Sequence, residues 1–275
     1  MQLFDSLVAL GLLITVQIGH VAATPAIIGV TCGPLQNVKT NNFSYTPTNG
    51  PLNWHETVPN SQLCKTGRNQ TPILLDNTIS QTAPGALVYT PGTQNEPLLF
   101  ENLGTTVEVR NARVTLQALG TQWTMQNYHF HTPSEHRVNL EYSPVELHMV
   151  FSNANGGVLV IGIMIELVPL PAIFSGFVQS ALSRVSCIAT PGTAVEIPTP
   201  PFQEIATYVR NNRFYQYDGS LTTPPCSEGL KWFVGQEKLK LDVGTFNELK
   251  RVVKFNSRFT QSRPGQVNVL EDACT

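Results

Sequence analysis

Two histidines one residue apart, His129 and His131, end a run of strand-forming residues from Trp123 to His131, and no other feature constrains the fold as much. Successive side chains of an extended chain alternate between faces, so both imidazoles share one face of a sheet while Phe130 takes the other. A second run, Val145-Glu-Leu-His-Met-Val150, alternates in the same way and sets His148 on the face of Glu146 and Val150. If the two runs are neighbouring strands, three imidazoles converge. Three neutral nitrogen ligands with a fourth position open is the pattern of a catalytic zinc, whereas a closed structural site uses four ligands. Glu146 then acquires a task, because a ligating histidine needs a partner for its other ring nitrogen. Taken alone, a His-x-His pair in a strand more often marks surface or hydrogen-bonded core histidines. Here four of the six histidines fall between residues 129 and 148, with the carboxylate of Glu135 beside His136, and that company shifts the reading toward a metal.

The remaining chain reads as mostly β. Strand signals lie at 86–89, 105–110, 113–116, 145–151 and 158–165, separated by Gly, Asn and Pro turns. Helical spacing recurs at 172–186 (Ile173, Phe177, Ala181, Leu182, Val185) and again at 246–255. With 41% hydrophobic residues, 13% charged residues and a formal net charge of -2 over 275 residues, the chain can bury a core and is not of the disordered class. The same balance offers no basic surface for a nucleic-acid backbone. The uncharged apolar run 7–23 ends in Val21-Ala22-Ala23, which suits cleavage of a secretory leader before Thr24. The leader's first residues carry Asp5 and no Lys or Arg, so an uncleaved anchor is the competing reading. The expected organisation is a signal peptide at 1–23, one domain at 24–275 and no membrane span in the mature chain.

The five cysteines, at 32, 64, 187, 226 and 274, show no Cys-x-x-Cys pairing and in a secreted chain read as disulfides. An odd count implies a free thiol or an intermolecular bridge, which would make a disulfide-linked homodimer. Asn42-Phe-Ser44 and Asn69-Gln-Thr71 are N-glycosylation sequons. The first is the stronger, since Pro72 follows the second.

The runs His129-Phe-His-Thr-Pro-Ser-Glu-His136, Val145-Glu-Leu-His-Met-Val150 and Ser220-Leu-Thr-Thr-Pro-Pro-Cys226 resemble the signature blocks of the α-class carbonic anhydrases, in order and at fitting separations. The likeness begins near Phe43-Ser-Tyr45 and Asn49-Gly-Pro-Leu-Asn-Trp54, and ends near Phe255-Asn-Ser-Arg-Phe-Thr-Gln261. It implies a single domain with short helices, built on a large, mainly antiparallel twisted sheet. It implies reversible hydration of carbon dioxide to bicarbonate and a proton by attack of a zinc-bound hydroxide. His129, His131 and His148 would hold Zn²⁺, and Thr222 would orient the hydroxide by donating its own proton to Glu135. Val150, Val160, Leu221 and Trp232 would form an apolar wall for the substrate, with Thr223 at the entrance. Cys64 and Cys226 match the disulfide of secreted members, a bridge worth roughly 4–5 kcal/mol in the chain-entropy model. Cis peptide bonds would fall at Thr71-Pro72 and Pro224-Pro225. The alternative function is a carbonic-anhydrase-like binding module without catalysis.

Two departures from the family pattern stand out. The usual proton-shuttle histidine is replaced in Asn102-Leu-Gly-Thr-Thr106, where Thr105 occupies its place and cannot titrate near neutral pH. Proton release is then expected to depend on external buffer or a chain of waters. Asn127 stands where the family usually has Gln, one methylene longer, and its hydrogen bond to His129 is expected to pass through water or to be lost.

Overall fold

The computed structural model describes residues 31–273, so the expected leader and Cys274 lie outside the described residues. The described residues form fourteen strands: β1 (Gln36–Asn37), β2 (Leu74–Leu75), β3 (Val88–Pro91), β4 (Leu98–Asn102), β5 (Val107–Arg110), β6 (Val114–Ala118), β7 (Thr121–His131), β8 (Arg137–Val138), β9 (Val145–Ser152), β10 (Val158–Val168), β11 (Thr193–Ile197), β12 (Phe214–Ser220), β13 (Glu228–Gly235) and β14 (Leu239–Asp242). Twelve of them form one sheet whose main path runs β1-β11-β4-β5-β7-β9-β10-β13-β12, while β2 and β8 pair separately. Most neighbours are antiparallel, but β10 runs parallel to both β13 and β14, so the sheet is mixed. Strand β10 reads as a near-continuous apolar run because both of its faces are covered. Leu159, Ile161, Ile163 and Ile165 enter the main core, and Val160 and Met164 enter a second cluster on the opposite face.

The helices are α1 (Trp54–Thr57), α2 (Leu63–Thr66), α3 (Gly176–Ala181), α4 (Phe202–Asn211), α5 (Val243–Val253) and α6 (Val269–Asp272). Helices α3, α4 and α5 cover the main core, contributing Phe177, Ile205 and Leu249 among others. The helix expected over 172–186 is broken: α3 is followed by a separate 3₁₀ turn at Val185–Ile188. Ser175 caps α3 by accepting the N–H of Val178, so Ile173 falls outside the helix and is 89% exposed. The second expected helix starts three residues early, because the Asp242 carboxylate accepts the N–H of Thr245 as an N-cap, and it stops at Val253.

Strand β7 departs from strict alternation. Its pairing with β9 shifts between Met125 and Asn127, leaving Gln126 as the extra residue of a bulge. Trp123 and Met125 before the bulge, and Tyr128 and Phe130 after it, all reach the main core. Without that extra residue, Asn127, His129 and His131 would share a face with Trp123 and Met125.

The Cys64–Cys226 bridge implied by the resemblance is present, and the open choice among the other cysteines resolves as Cys32–Cys187. Both bridges lie within the chain, so neither supplies the intermolecular link that an odd cysteine count suggested. The cis bonds at Thr71-Pro72 and Pro224-Pro225 are present, with two more at Thr132-Pro133 and Leu170-Pro171. Asn42 is exposed, whereas Asn69 is half-buried and its sequon hydroxyl, on Thr71, is buried. Among the described residues no helix is long and apolar enough to cross a membrane.

Candidate metal centre

The register aligns the site in rows across the sheet. Glu101 faces Glu108, Glu108 faces His129, His129 faces His148, and His148 faces Gly162. Because directly opposed residues project to the same side, His129 and His148 emerge together, with His131 two positions along β7. One ring nitrogen from each of the three histidines lies within 4.8 Å of those of the other two. His131 and His148 are buried, and His129 is half-buried and lines the cavity above them.

The outer nitrogen of each ring is fixed by the protein. His129 Nδ1 lies 3.1 Å from Asn127 Oδ1, His131 Nδ1 lies 2.8 Å from the backbone oxygen of Asn256, and His148 Nε2 lies 2.8 Å from Glu146 Oε1. These contacts leave Nε2 of His129, Nε2 of His131 and Nδ1 of His148 turned inward, and the buried Nε2 of His131 has no hydrogen-bond partner. The Asn127 contact corrects the expectation of a lost or water-borne bond. Asn127 leaves the bulge on the face of His129, two positions away, and its shorter amide reaches the ring directly.

Burial, aided by the neighbouring imidazoles, holds His129 well below the usual histidine range, and burial lowers His131 to about 4 and also lowers His148. All three rings are therefore neutral near pH 7, the state a metal requires. Three neutral, borderline-soft nitrogens with pre-oriented rings fit Zn²⁺ in the catalytic rather than the closed pattern.

Glu146 is fully buried, yet its carboxyl is held well below the usual range. Burial opposes ionisation, but the electrostatic and hydrogen-bonding interactions with the His136 and His148 imidazoles outweigh it. Its Oε2 accepts the backbone N–H groups of Glu135 and His136, and its Oε1 contacts His136 Nδ1 at 2.7 Å. The chain continues from His136 Nε2 to the Tyr217 hydroxyl at 2.6 Å. His136, Glu146 and His148 are also close enough to suggest a second metal cluster, but their atoms are already engaged in these hydrogen bonds. Gly162 makes room for this carboxylate: a Cβ there would sit 3.0 Å from Glu146 Oε1.

Glu135 is buried beside the cluster. Its Oε1 accepts the N–H of Arg258 at 2.9 Å, and its Oε2 lies 3.5 Å from His131 Nε2 and 3.9 Å from His148 Nδ1. Burial pushes its pKa up to about 7 against the lowering effects of His148, the Arg258 N–H and the Thr222 hydroxyl.

Thr222 is buried in the loop after β12, which is tied down on several sides. Ser220 N–H donates to Thr71 Oγ1, Thr71 N–H donates to Ser220 Oγ, and Trp232 Nε1 donates to Ser220 O. Cys226, at the far end of the loop, is bonded to Cys64. A cavity of about 180 Å³ above the histidines is lined by His129, His131, Thr105, Thr223, Tyr45 and Asn41 among others. Thr105 is therefore brought to the cavity, where its Oγ1 accepts from Asn41 Nδ2 at 2.6 Å. Val160 and Trp232 belong to the second apolar cluster, with Val150 and Leu221 packed against it. Val150 pairs Val160, and Val160 pairs Trp232, one row away from the histidines.

Asn256 and Tyr217 support the cluster without any local sequence signal, since their partners are 125 and 81 residues away. Arg258, in the Phe255–Gln261 run, is similarly remote. Its buried guanidinium donates to Gln70 Oε1, Thr71 O and Cys64 O.

The family model for the eukaryotic-type carbonic anhydrases matches residues 49–268. The chain belongs to this family. A carbonic anhydrase of Pectobacterium carotovorum is 31% identical over 229 residues, covering 82% of this chain and 89% of that protein. Alpha carbonic anhydrase 4 of Arabidopsis thaliana is 30% identical, covering 79% of this chain and 78% of that one. The solved structure of the fungal alpha carbonic anhydrase from Aspergillus oryzae superposes with a TM-score of 0.80 at 35% identity, covering 86% of this chain and 99% of that one. The large twisted sheet and short helices are those of alpha carbonic anhydrases, whose reaction is the reversible hydration of carbon dioxide.

Proposed function

We propose that this chain is a zinc lyase that interconverts carbon dioxide with bicarbonate and a proton, and that His129, His131 and His148 hold the ion. The observation that carries the reading is the trio of neutral imidazoles whose inward nitrogens converge while Asn127, Asn256 and Glu146 fix the outward ones. Held by these three rings, a zinc ion would supply a nucleophile for carbon dioxide at neutral pH, since zinc lowers the pKa of a bound water from 15.7 to about 7.

The protein's own groups position and confine that chemistry. Thr222 accepts a hydrogen bond from the nucleophile and donates its own proton toward Glu135. The direction of this chain requires an ionised carboxylate, and a cation among the imidazoles favours that state. The backbone N–H of Arg258 holds Glu135 in place. The apolar patch of Val150, Val160, Leu221 and Trp232 suits a substrate without a net dipole, and Thr223 lines the approach. Two disulfides support an oxidising, extracellular location, and the exposure of Asn42 supports glycosylation there.

Metal analysis with stopped-flow hydration assays tests the reading. One zinc per chain and fast hydration are expected, with zinc lost from His148→Ala and retained by His55→Ala. A zinc-loaded protein without hydration at any buffer concentration would instead make the chain a binding module.

A further inference from the structure

A second cleft, of about 290 Å³, adjoins the histidine cavity and shares with it the walls Thr105 and Tyr45. Its other sides include Thr46, Gly104, Phe255 and Lys254. The Lys254 side chain is exposed, and no carboxylate pairs with it among the described residues. No acidic residue lines the cleft.

The backbone at Lys254 is unusual. It stands at φ 64° and ψ -103°, in the half of conformational space that favours glycine. Two contacts hold it there: its N–H donates to Lys250 O at 2.8 Å, and its carbonyl accepts the Thr132 hydroxyl at 2.6 Å. Thr132 directly follows His131, so the turn that places this ammonium is anchored to the strand end carrying the metal ligands. Strain of this kind concentrates at functional positions.

Each hydration releases one proton, and residue 105 cannot carry it. The proton must therefore pass to a base in solution, directly or through a chain of waters. Beside the Thr105 wall the cleft is lined by Lys254, an exposed cation without a carboxylate partner among the described residues, and by the Thr105 hydroxyl. The Thr105 oxygen already accepts from Asn41, which leaves its hydrogen free to donate. An environment of this sign favours an anionic base over a neutral or cationic one.

We propose that this cleft docks a dianionic oxyanion buffer of the hydrogenphosphate class, held by Lys254, as the external proton acceptor of the reaction. The inference rests on the carbonic anhydrase reading. Hydrogenphosphate takes up the released proton and becomes dihydrogenphosphate. The loss of one negative charge weakens its attraction to Lys254, so the loaded carrier leaves for solvent.

The test uses the zinc-loaded protein at constant ionic strength, with turnover measured against increasing phosphate and, separately, against 1,2-dimethylimidazole as a neutral base. Saturation is expected with phosphate. The ratio of phosphate to dimethylimidazole efficiency should fall about fivefold in Lys254→Gln, as for loss of one partly solvated ionic contact. Lys254→Arg should keep the ratio, and Lys240→Gln, which removes an exposed charge elsewhere, should not change it. Phosphate titration followed by NMR should shift the amides of Gly104 and Phe255 in the native protein and not in Lys254→Gln. A ratio unmoved by Lys254→Gln, or amide shifts that persist in it, would overturn the proposal. Absence of hydration with both bases would overturn the carbonic anhydrase reading instead, and the titration alone would then decide whether the cleft binds the oxyanion.

Discussion

At the scale of single residues, Thr105 has the largest consequence. It is buried against the cavity with its oxygen engaged by Asn41, and a hydroxyl there neither accepts nor releases a proton near neutral pH. Thr105→His should raise turnover at low buffer by at least about tenfold. The gain should fall short of the ~10²–10⁴ that a fully positioned proton-transfer group supplies, because Asn41 and the cavity wall are set for a smaller side chain. Stopped-flow turnover in dilute buffer measures it, and an unchanged rate alongside fast carbon dioxide interconversion would mean that residue 105 does not face the proton path. The grouping of His129 with His131 was legible because strand alternation alone places both on one face. Asn256 was not, since it meets His131 across 125 residues through a backbone carbonyl that any residue type could present.

At the scale of elements, pattern reading succeeded where a strand or helix keeps its period and failed where a local device resets it. The β7 bulge is such a device: the alternation that correctly paired His129 with His131 would have sent Trp123 and Met125 to the histidine side, and the extra residue Gln126 returns them to the core. Helix α5 begins at Val243 because Asp242 caps it, an acceptor that apolar spacing does not register. Burial of the Asp242 carboxyl raises its pKa, but the backbone and side chain of Thr245, Gln179 and the Gly244 N–H outweigh it, and the net shift is downward. A depressed folded pKa stabilises the native state above the unfolded value near 3.8 and stops doing so as pH falls through the lower folded value. Asp242→Ala should therefore cost about 1 kcal/mol at neutral pH, or roughly 2–4 °C in Tm for a domain of this size. That cost should shrink on acidification below pH ~4, whereas Asp242→Asn should keep most of the cap. A deficit that stays constant from pH 7 to pH 3 in denaturant titrations would show that the carboxylate charge is not what the helix uses.

At the scale of the whole molecule, the site is assembled from segments that the sequence leaves far apart: β7, β9, the loop after β12 and the stretch at 256–258. The resemblance implied the large sheet, but the parallel placement of β10 against β13 and β14 arises from crossovers that no local pattern records. The two disulfides span similar lengths, 155 residues for Cys32–Cys187 and 162 for Cys64–Cys226. Loop-closure entropy depends only weakly on length, so removing either bridge by paired Cys→Ser changes should cost a similar ~2–5 kcal/mol. Their effects on turnover should differ. Cys226 closes the loop that carries Thr222, and Gln70 Nε2 and Arg258, which holds Glu135 through its N–H, both bond to the backbone carbonyls of that bridge. Cys187 lies in the 3₁₀ turn on the main-core side. The Cys64→Ser/Cys226→Ser protein should therefore lose turnover even under conditions where it remains folded, while the Cys32→Ser/Cys187→Ser protein should lose stability and keep its rate. Parallel denaturant titrations and stopped-flow assays separate these outcomes, and equal turnover in the two folded variants would mean that the Thr222 loop is held well enough by its hydrogen bonds to Thr71 and Trp232 alone.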